Sequence, residues 1–283
     1  MRIIDAHLHF GKEPYFDDIA RKAQHENTEA HLRKEYARLG IVGGVVMGNR
    51  PVADAAPAYP SMLHYCVGIE RFTLPGSGDW LDPAVREEAL PLVEQHLKRK
   101  ECVGIKLYPG YHPYWINDDA FAPLYRLAAE YGKPVAVHTG LTASGDAYLK
   151  YSHPSVMDEA ATKFRDVQFV MCHFGEPWYT DAAAVLEKNP NVAADLSGIL
   201  EGKIWDFPAF YRKQKYYIEQ LKGWISYLDS YDRFMFGTDW PLANLGDYIA
   251  FTKEIIPEEN WDEVFYKNAM RIYHLKPEAM LDS

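Results

Sequence analysis

Eight short apolar runs recur along this chain, with amphipathic stretches between them, and this alternation limits the fold more tightly than any other feature. The runs lie at about residues 2–8, 41–48, 63–69, 102–107, 134–138, 167–172, 191–196 and 233–237. Helical patterns fill most of the intervals, at about 29–39, 82–99, 117–131, 154–164, 179–188 and 207–228, with further helix at about 244–254 and a pair near 258–275. Alternation of strand and helix implies a parallel sheet. Eight repeats favour closure into a (β/α)8 barrel, the TIM-barrel form of the α/β class, over an open doubly wound sheet. A barrel of this kind takes about 250 residues, and no linker or composition shift divides the 283 residues here. One domain, 1–283, is therefore expected. The segments "GSGDW" at 76–80 and "SGILEGKIWDFP" at 197–208 read as irregular connections after strands, on the face where barrels carry their chemistry.

Composition narrows the partners. The net charge is −10 with no block of basic residues, which argues against nucleic acid and against an anionic membrane surface. No apolar run approaches the roughly 18 residues of a membrane span. The first strand is expected to begin at about residue 2, and nothing there resembles a signal peptide, so none is expected. The three cysteines, Cys66, Cys102 and Cys172, are scattered through apolar runs; this is the pattern of reduced core thiols in a cytoplasmic protein. A small molecule is then the expected partner. The aromatic, basic segment "AFYRKQKYYIEQLKGWISYL" at 209–228 reads as the seventh barrel helix, or else as the cover of a homodimer.

The ends of the eight runs carry ionisable groups. The first, "RIIDAHLHF", ends in His7 and His9. Side chains alternate across a strand, so the two imidazoles share a face, and strict alternation puts Asp5 and Ile3 on it with them. The later ends supply Asn49 and Arg50, Glu70 and Arg71, Lys106, His138, His173, Asp195 and Asp239. Parity turns Ile105, Leu107, Val135, Val137, Phe234 and Phe236 outward, and Lys106 and His138 toward the barrel axis. Each group alone has an ordinary reading: a satisfied core histidine, a helix cap at Asp239, a lysine reaching the rim. Together they converge on one mouth, where unpaired charge is costly. A metal ion held by imidazoles and a carboxylate removes that cost. Arg50, Arg71 and Lys106 stand where they can clamp a substrate carboxylate, or can pair with Glu70, Glu176 and Asp195. Aromatic residues crowd the same loops, among them Tyr108, Tyr111, Trp178 and Trp240, and suit a flat or cyclic small molecule.

The pieces "DAHLHF" at 5–10, "GIKLYP" at 104–109, "VAVHTG" at 135–140, "CHFGEPW" at 172–178, "GTDWP" at 237–241 and "KNAMRIYHL" at 267–275 resemble, in order, those of the amidohydrolase superfamily. The match is to the amidohydrolase 2 branch, which includes aminocarboxymuconate-semialdehyde decarboxylase. The resemblance implies that His7, His9, His138 and Asp239 bind one divalent ion, zinc in the first instance. It implies that His173 orients the water on that ion, that Asp239 relays its proton, and that Lys106 contacts substrate. A lysine on strand 4 with histidines on strands 5 and 6 also matches a two-metal branch similar to phosphotriesterase; there Lys106 is carbamylated and bridges two ions. Glu176 departs from relatives that carry a small residue. Three functions follow: metal-dependent hydrolysis of a small carboxylated or cyclic ester, lactone or amide; metal-dependent, non-oxidative decarboxylation of an aromatic or unsaturated acid; and a non-catalytic barrel that binds metal or ligand. The presence of Asp239 and His173 beside the ligand set argues against the third.

Overall fold

The computed structural model of the chain describes residues 1–53, 59–69 and 79–276. Eight parallel strands form one sheet in sequence order: β1 (Ile3–Leu8), β2 (Ile41–Met47), β3 (Leu63–Ile69), β4 (Cys102–Leu107), β5 (Val135–Val137), β6 (Phe169–Met171), β7 (Val192–Asp195) and β8 (Phe234–Met235). The two ends of the sheet meet: Ala6 donates its N–H to the Phe236 carbonyl at 2.9 Å, and His9 to that of Trp240 at 2.7 Å. Helices surround the sheet and cover its ends: α1 (Pro14–Lys22), α2 (Glu29–Leu39), α3 (Pro83–Leu97), α4 (Ala122–Glu130), α5 (Leu149–Ser152), α6 (Val156–Lys163), α7 (Tyr179–Lys188), α8 (Phe207–Leu228), α9 (Leu245–Ile255) and α10 (Asn268–Ile272). The expected (β/α)8 barrel is what the chain forms, and the segment 209–228 lies in its longest described helix. Among the described residues no helix is long and apolar enough to cross a membrane.

The core has two shells, as strand parity requires. Ile105, Leu107, Val135, Val137, Phe234 and Phe236 pack outward under the helices. Ile4, Ala6, Ala136, Val170, Ala193 and Met235 fill the barrel interior. The small inner residues leave the mouth to the polar side chains that follow them. The cysteines are free and buried.

Strict alternation fails in β1, and the failure builds the site. Asp5 pairs with Gly44 but Leu8 with Val46, so β1 carries one residue more than its partner over that stretch. Such a bulge bends the strand and re-aims the side chains after it. Asp5 consequently turns outward, where the Tyr36 hydroxyl of α2 reaches it at 3.0 Å, while His7 turns inward to Asp195 of β7. Asp5 does not share the face of His7. It accepts from Thr238 N (2.9 Å) and Thr238 Oγ1 (2.5 Å) instead, tying β1 to the loop after β8. Burial pushes its pKa up to about 7 against these hydrogen bonds.

The C-terminal segment closes the far side. The π-helical turn Glu263–Lys267 receives the Phe236 N–H on the Val264 carbonyl at 2.9 Å. Asn268, fully buried, donates Nδ2 to the carbonyls of Tyr231 (2.7 Å) and Phe234 (2.8 Å). Asn268→Ala strands both carbonyls and is expected to cost about 1–3 kcal/mol, read by urea unfolding. An unchanged midpoint would show that water replaces the amide at no cost.

Candidate metal centre

His7, His9 and Asp239 come together because β8 closes the sheet against β1. The His7 carbonyl accepts the Asp239 N–H at 2.8 Å, which holds the two backbones side by side. Gly237 makes the approach possible, since a Cβ there would stand 2.9 Å from His7 Cβ. Asp239 Oδ1 then lies 3.5 Å from His7 Nε2 and 3.2 Å from His9 Nε2. Ligand atoms of these three residues all fall within 4.8 Å of one another.

Hydrogen bonds decide which nitrogen of each ring is bare. His7 Nδ1 faces Asp195 Oδ2 at 2.9 Å, and His9 Nδ1 faces the Met47 carbonyl at 3.2 Å. A carboxylate and a carbonyl can only accept, so both Nδ1 atoms carry the proton and both Nε2 atoms keep a lone pair. Burial holds His7 down to about pKa 4 despite the opposing charge of Asp195; it is a neutral imidazole at neutral pH. Burial also works against the charge on Asp239, but its imidazole neighbours His9 and His7 outweigh it and keep the acid below the usual range. Two neutral imidazole lone pairs and a carboxylate, aimed at one point, are the donor set of a divalent ion. His7 Nε2 and Asp239 Oδ1 are buried with no hydrogen-bond partner, as ligand atoms awaiting an ion would be.

The other predicted residues arrange around this cluster. His138 and His173 face each other, with His138 Nδ1 3.2 Å from His173 Nε2. His138 Nε2 is buried without a partner but stands outside the three-residue cluster. Burial lowers both imidazoles. Lys106 is fully buried inside the barrel, its Nζ 2.8 Å from Cys172 Sγ. Arg50 is exposed at the end of β2. Trp178 is half-buried on the His153 ring, centroids 4.9 Å apart. Arg71 lies outside the described residues, as does Glu70. Glu176 is half-buried, and the Tyr217 hydroxyl donates to its Oε1 at 3.3 Å.

Four neighbours complete the site, of which Ser197 and Phe16 carried little signal in the sequence. Asp195 is the hub: beside its bond to His7, its Oδ1 accepts from His173 N (3.0 Å), Ser197 N (3.1 Å) and Ser197 Oγ (2.5 Å). Burial would raise this carboxyl, yet the charge and hydrogen bond of His7 hold it below the usual range. Ser197 also meets His173 Nδ1, through its carbonyl at 3.1 Å and its Oγ at 2.9 Å. Phe16 of α1 stacks on the His9 ring at 5.8 Å, and Tyr111 sets its ring 4.9 Å from that of His138. Helix α1 is short and buries only Ala20, too weak an apolar stripe to mark it beforehand.

A family model described as Amidohydrolase matches residues 4–275 of this sequence. No curated protein matches it. Similar solved structures include an uncharacterised TIM-barrel protein from Bordetella bronchiseptica, 22% identical with a TM-score of 0.68, covering 97% of this chain and 99% of that one. A probable 2-pyrone-4,6-dicarboxylic acid hydrolase from Acinetobacter baumannii, with citric acid bound, is 16% identical at a TM-score of 0.63, covering 97% and 100%. A 5-carboxyvanillate decarboxylase from Novosphingobium aromaticivorans, complexed with manganese and 4-hydroxy-3-methoxy-5-nitrobenzoic acid, is 13% identical at 0.65, covering 97% and 96%. At these identities the likeness is one of fold.

Proposed function

The chain belongs to the amidohydrolase family, and on that premise we propose that it is a metal-dependent hydrolase of a small carboxylated or cyclic ester, lactone or amide. The observation that carries this reading is the convergence of His7 Nε2, His9 Nε2 and Asp239 Oδ1, with both imidazole tautomers set by acceptors behind them. His138 Nε2 is the fourth ligand in this reading. Imidazole and carboxylate donors in this number suit zinc. A divalent ion held there supplies Lewis acidity toward a carbonyl and makes water acidic enough to attack near neutral pH.

The protein's own groups supply the rest. Asp239 is a carboxylate at neutral pH and has an oxygen at the site, so it takes the proton of the attacking water and returns it to the leaving group. Lys106 is a buried amine with no carboxylate within ion-pair distance among the described residues, which suits a carboxylate brought by the substrate. Arg50, exposed on the rim, and Arg71 are left for a second anionic group at the entrance. Phe16 and Tyr111 wall the ring histidines with apolar surface that excludes water.

Those aromatic walls favour a second reading: non-oxidative decarboxylation of a planar aromatic acid on the same ion. The manganese-bound decarboxylase from Novosphingobium aromaticivorans shares the fold and makes this chemistry a fair competitor. Products separate the two. The metal-loaded protein is offered 2-pyrone-4,6-dicarboxylate, simple lactones and 5-carboxyvanillate. Acid release from the lactones supports the hydrolase; carbon dioxide from the aromatic acid supports the decarboxylase; neither, with metal bound, defeats both.

One ion per chain is the expected stoichiometry. A second ion would need Lys106 carbamylated toward His138 and His173, whereas its Nζ rests on Cys172 and the two histidines hydrogen-bond each other. Elemental analysis of protein purified without chelator should find about one zinc. About two would restore the carbamylated bridge, and none after metal addition would end the metal reading.

A further inference from the structure

We infer that His173 is a positioning residue that acts through His138, at the end of a hydrogen-bond chain anchored on Ser197. The inference rests on the reading of His138 as a metal ligand, and it departs from the direct contact with activated water that the resemblance gives to His173.

The chain of protons can be followed atom by atom. His173 Nδ1 meets the Ser197 carbonyl at 3.1 Å. A carbonyl has no proton to give, so Nδ1 carries the hydrogen and Nε2 is a bare acceptor. That acceptor stands 3.2 Å from His138 Nδ1. His138 therefore donates from Nδ1, which leaves its Nε2 bare. His138 Nε2 is buried with no partner, as a ligand nitrogen should be. Each of the three histidines named as ligands thus has a protonated Nδ1 and a bare Nε2. His7 is set by a carboxylate and His9 by a carbonyl; His138 is set by another imidazole.

The neighbourhood of His173 fixes its ring for this task. Its backbone sits at φ 63°, in the left-handed region, and Asp195 Oδ1 holds its N–H at 3.0 Å. Gly198, itself at φ 69°, passes so close that a Cβ there would lie 2.5 Å from His173 Nδ1. Ser197 Oγ stands 2.9 Å from Nδ1 and 2.5 Å from Asp195 Oδ1. A ring clamped on that side, with Nε2 already engaged, is built to orient a neighbour. Outer partners of this kind set ligand tautomers and are worth about 10- to 100-fold in metal affinity.

Zinc affinity of the full chain, by competition with a chelator, tests the assignment without any substrate. Four proteins are compared: the unaltered chain, His138→Ala, His173→Ala and His173→Gln. The glutamine amide oxygen reaches about as far as Nε2 and can accept the same proton. His138→Ala should lose well over 100-fold and His173→Ala about 10- to 100-fold, and His173→Gln should recover most of the His173→Ala loss. Unchanged affinity in His138→Ala would defeat the ligand reading itself. Loss in His138→Ala but not in His173→Ala would leave that reading standing and overturn the inference, as would equal loss in both His173 variants. Histidine-selective nitrogen NMR of the unaltered chain, stripped of metal, needs no variant to fold. His138 and His173 should both be protonated on Nδ1 alone; a proton on His138 Nε2 overturns the inference.

Discussion

Asp239→Asn should bind zinc more weakly by well over the 10- to 100-fold typical of an outer partner, and should lose about a thousandfold in turnover of whichever substrate is found. The backbone does not cause this loss. Asp239 sits at φ 55°, and asparagine is among the few residues at ease in the left-handed region. The change is in charge and in protons. The carboxylate oxygen faces two bare nitrogens, at 3.5 and 3.2 Å, an arrangement that a cation relieves. An amide turns its NH2 toward those lone pairs and satisfies them without an ion. It also removes the one group at the site placed to accept a proton from water. Tight binding of one ion with unchanged turnover would refute the role given to Asp239.

The strands were legible because each is a short, bounded apolar run, and parity along β4, β5 and β8 sorted outer from inner residues. His7, His9 and Asp239 were legible for the same reason: ionisable groups at strand ends stand out against apolar interiors. Asp5 was misplaced because a bulge adds one residue to β1, and no local pattern marks where a ladder slips. The clamp on His173 was out of reach for a different cause. It depends on two residues in the left-handed region and on a glycine whose missing Cβ matters only once the chain has folded back on itself. The cationic residues lie at different depths: Lys106 is buried within the barrel and Arg50 is exposed, and charge type alone does not tell a floor from a rim.

Asp195, the carboxylate that sets the His7 tautomer, stands 188 residues away in the chain, so no local pattern pairs the two. Substitution of Asp195 should nonetheless weaken the hold on the ion nearly as much as that of Asp239 and cost turnover at least as much. In Asp195→Asn the oxygen and nitrogen of the amide cannot choose their places freely. Oδ1 accepts from three donors, the N–H groups of His173 and Ser197 and the Ser197 hydroxyl, at 3.0, 3.1 and 2.5 Å. The amide oxygen must stay there, so the NH2 group takes the position of Oδ2 and faces His7 Nδ1. Two donors cannot share that contact. His7 resolves it by moving its proton to Nε2, the atom that has to bind the ion. Nothing else need shift, and the volume is unchanged, yet a ligand is lost. Zinc affinity should fall about 100-fold. Turnover should fall by up to about ten thousandfold, the scale seen when a histidine is locked in the wrong tautomer. Two measurements check the cause: chelator competition for the affinity, and nitrogen NMR for the proton on His7 Nε2. Affinity within about threefold of the parent would mean either that His7 keeps its lone pair without Asp195 or, if the proton is on Nε2, that His9, His138 and Asp239 hold the ion alone.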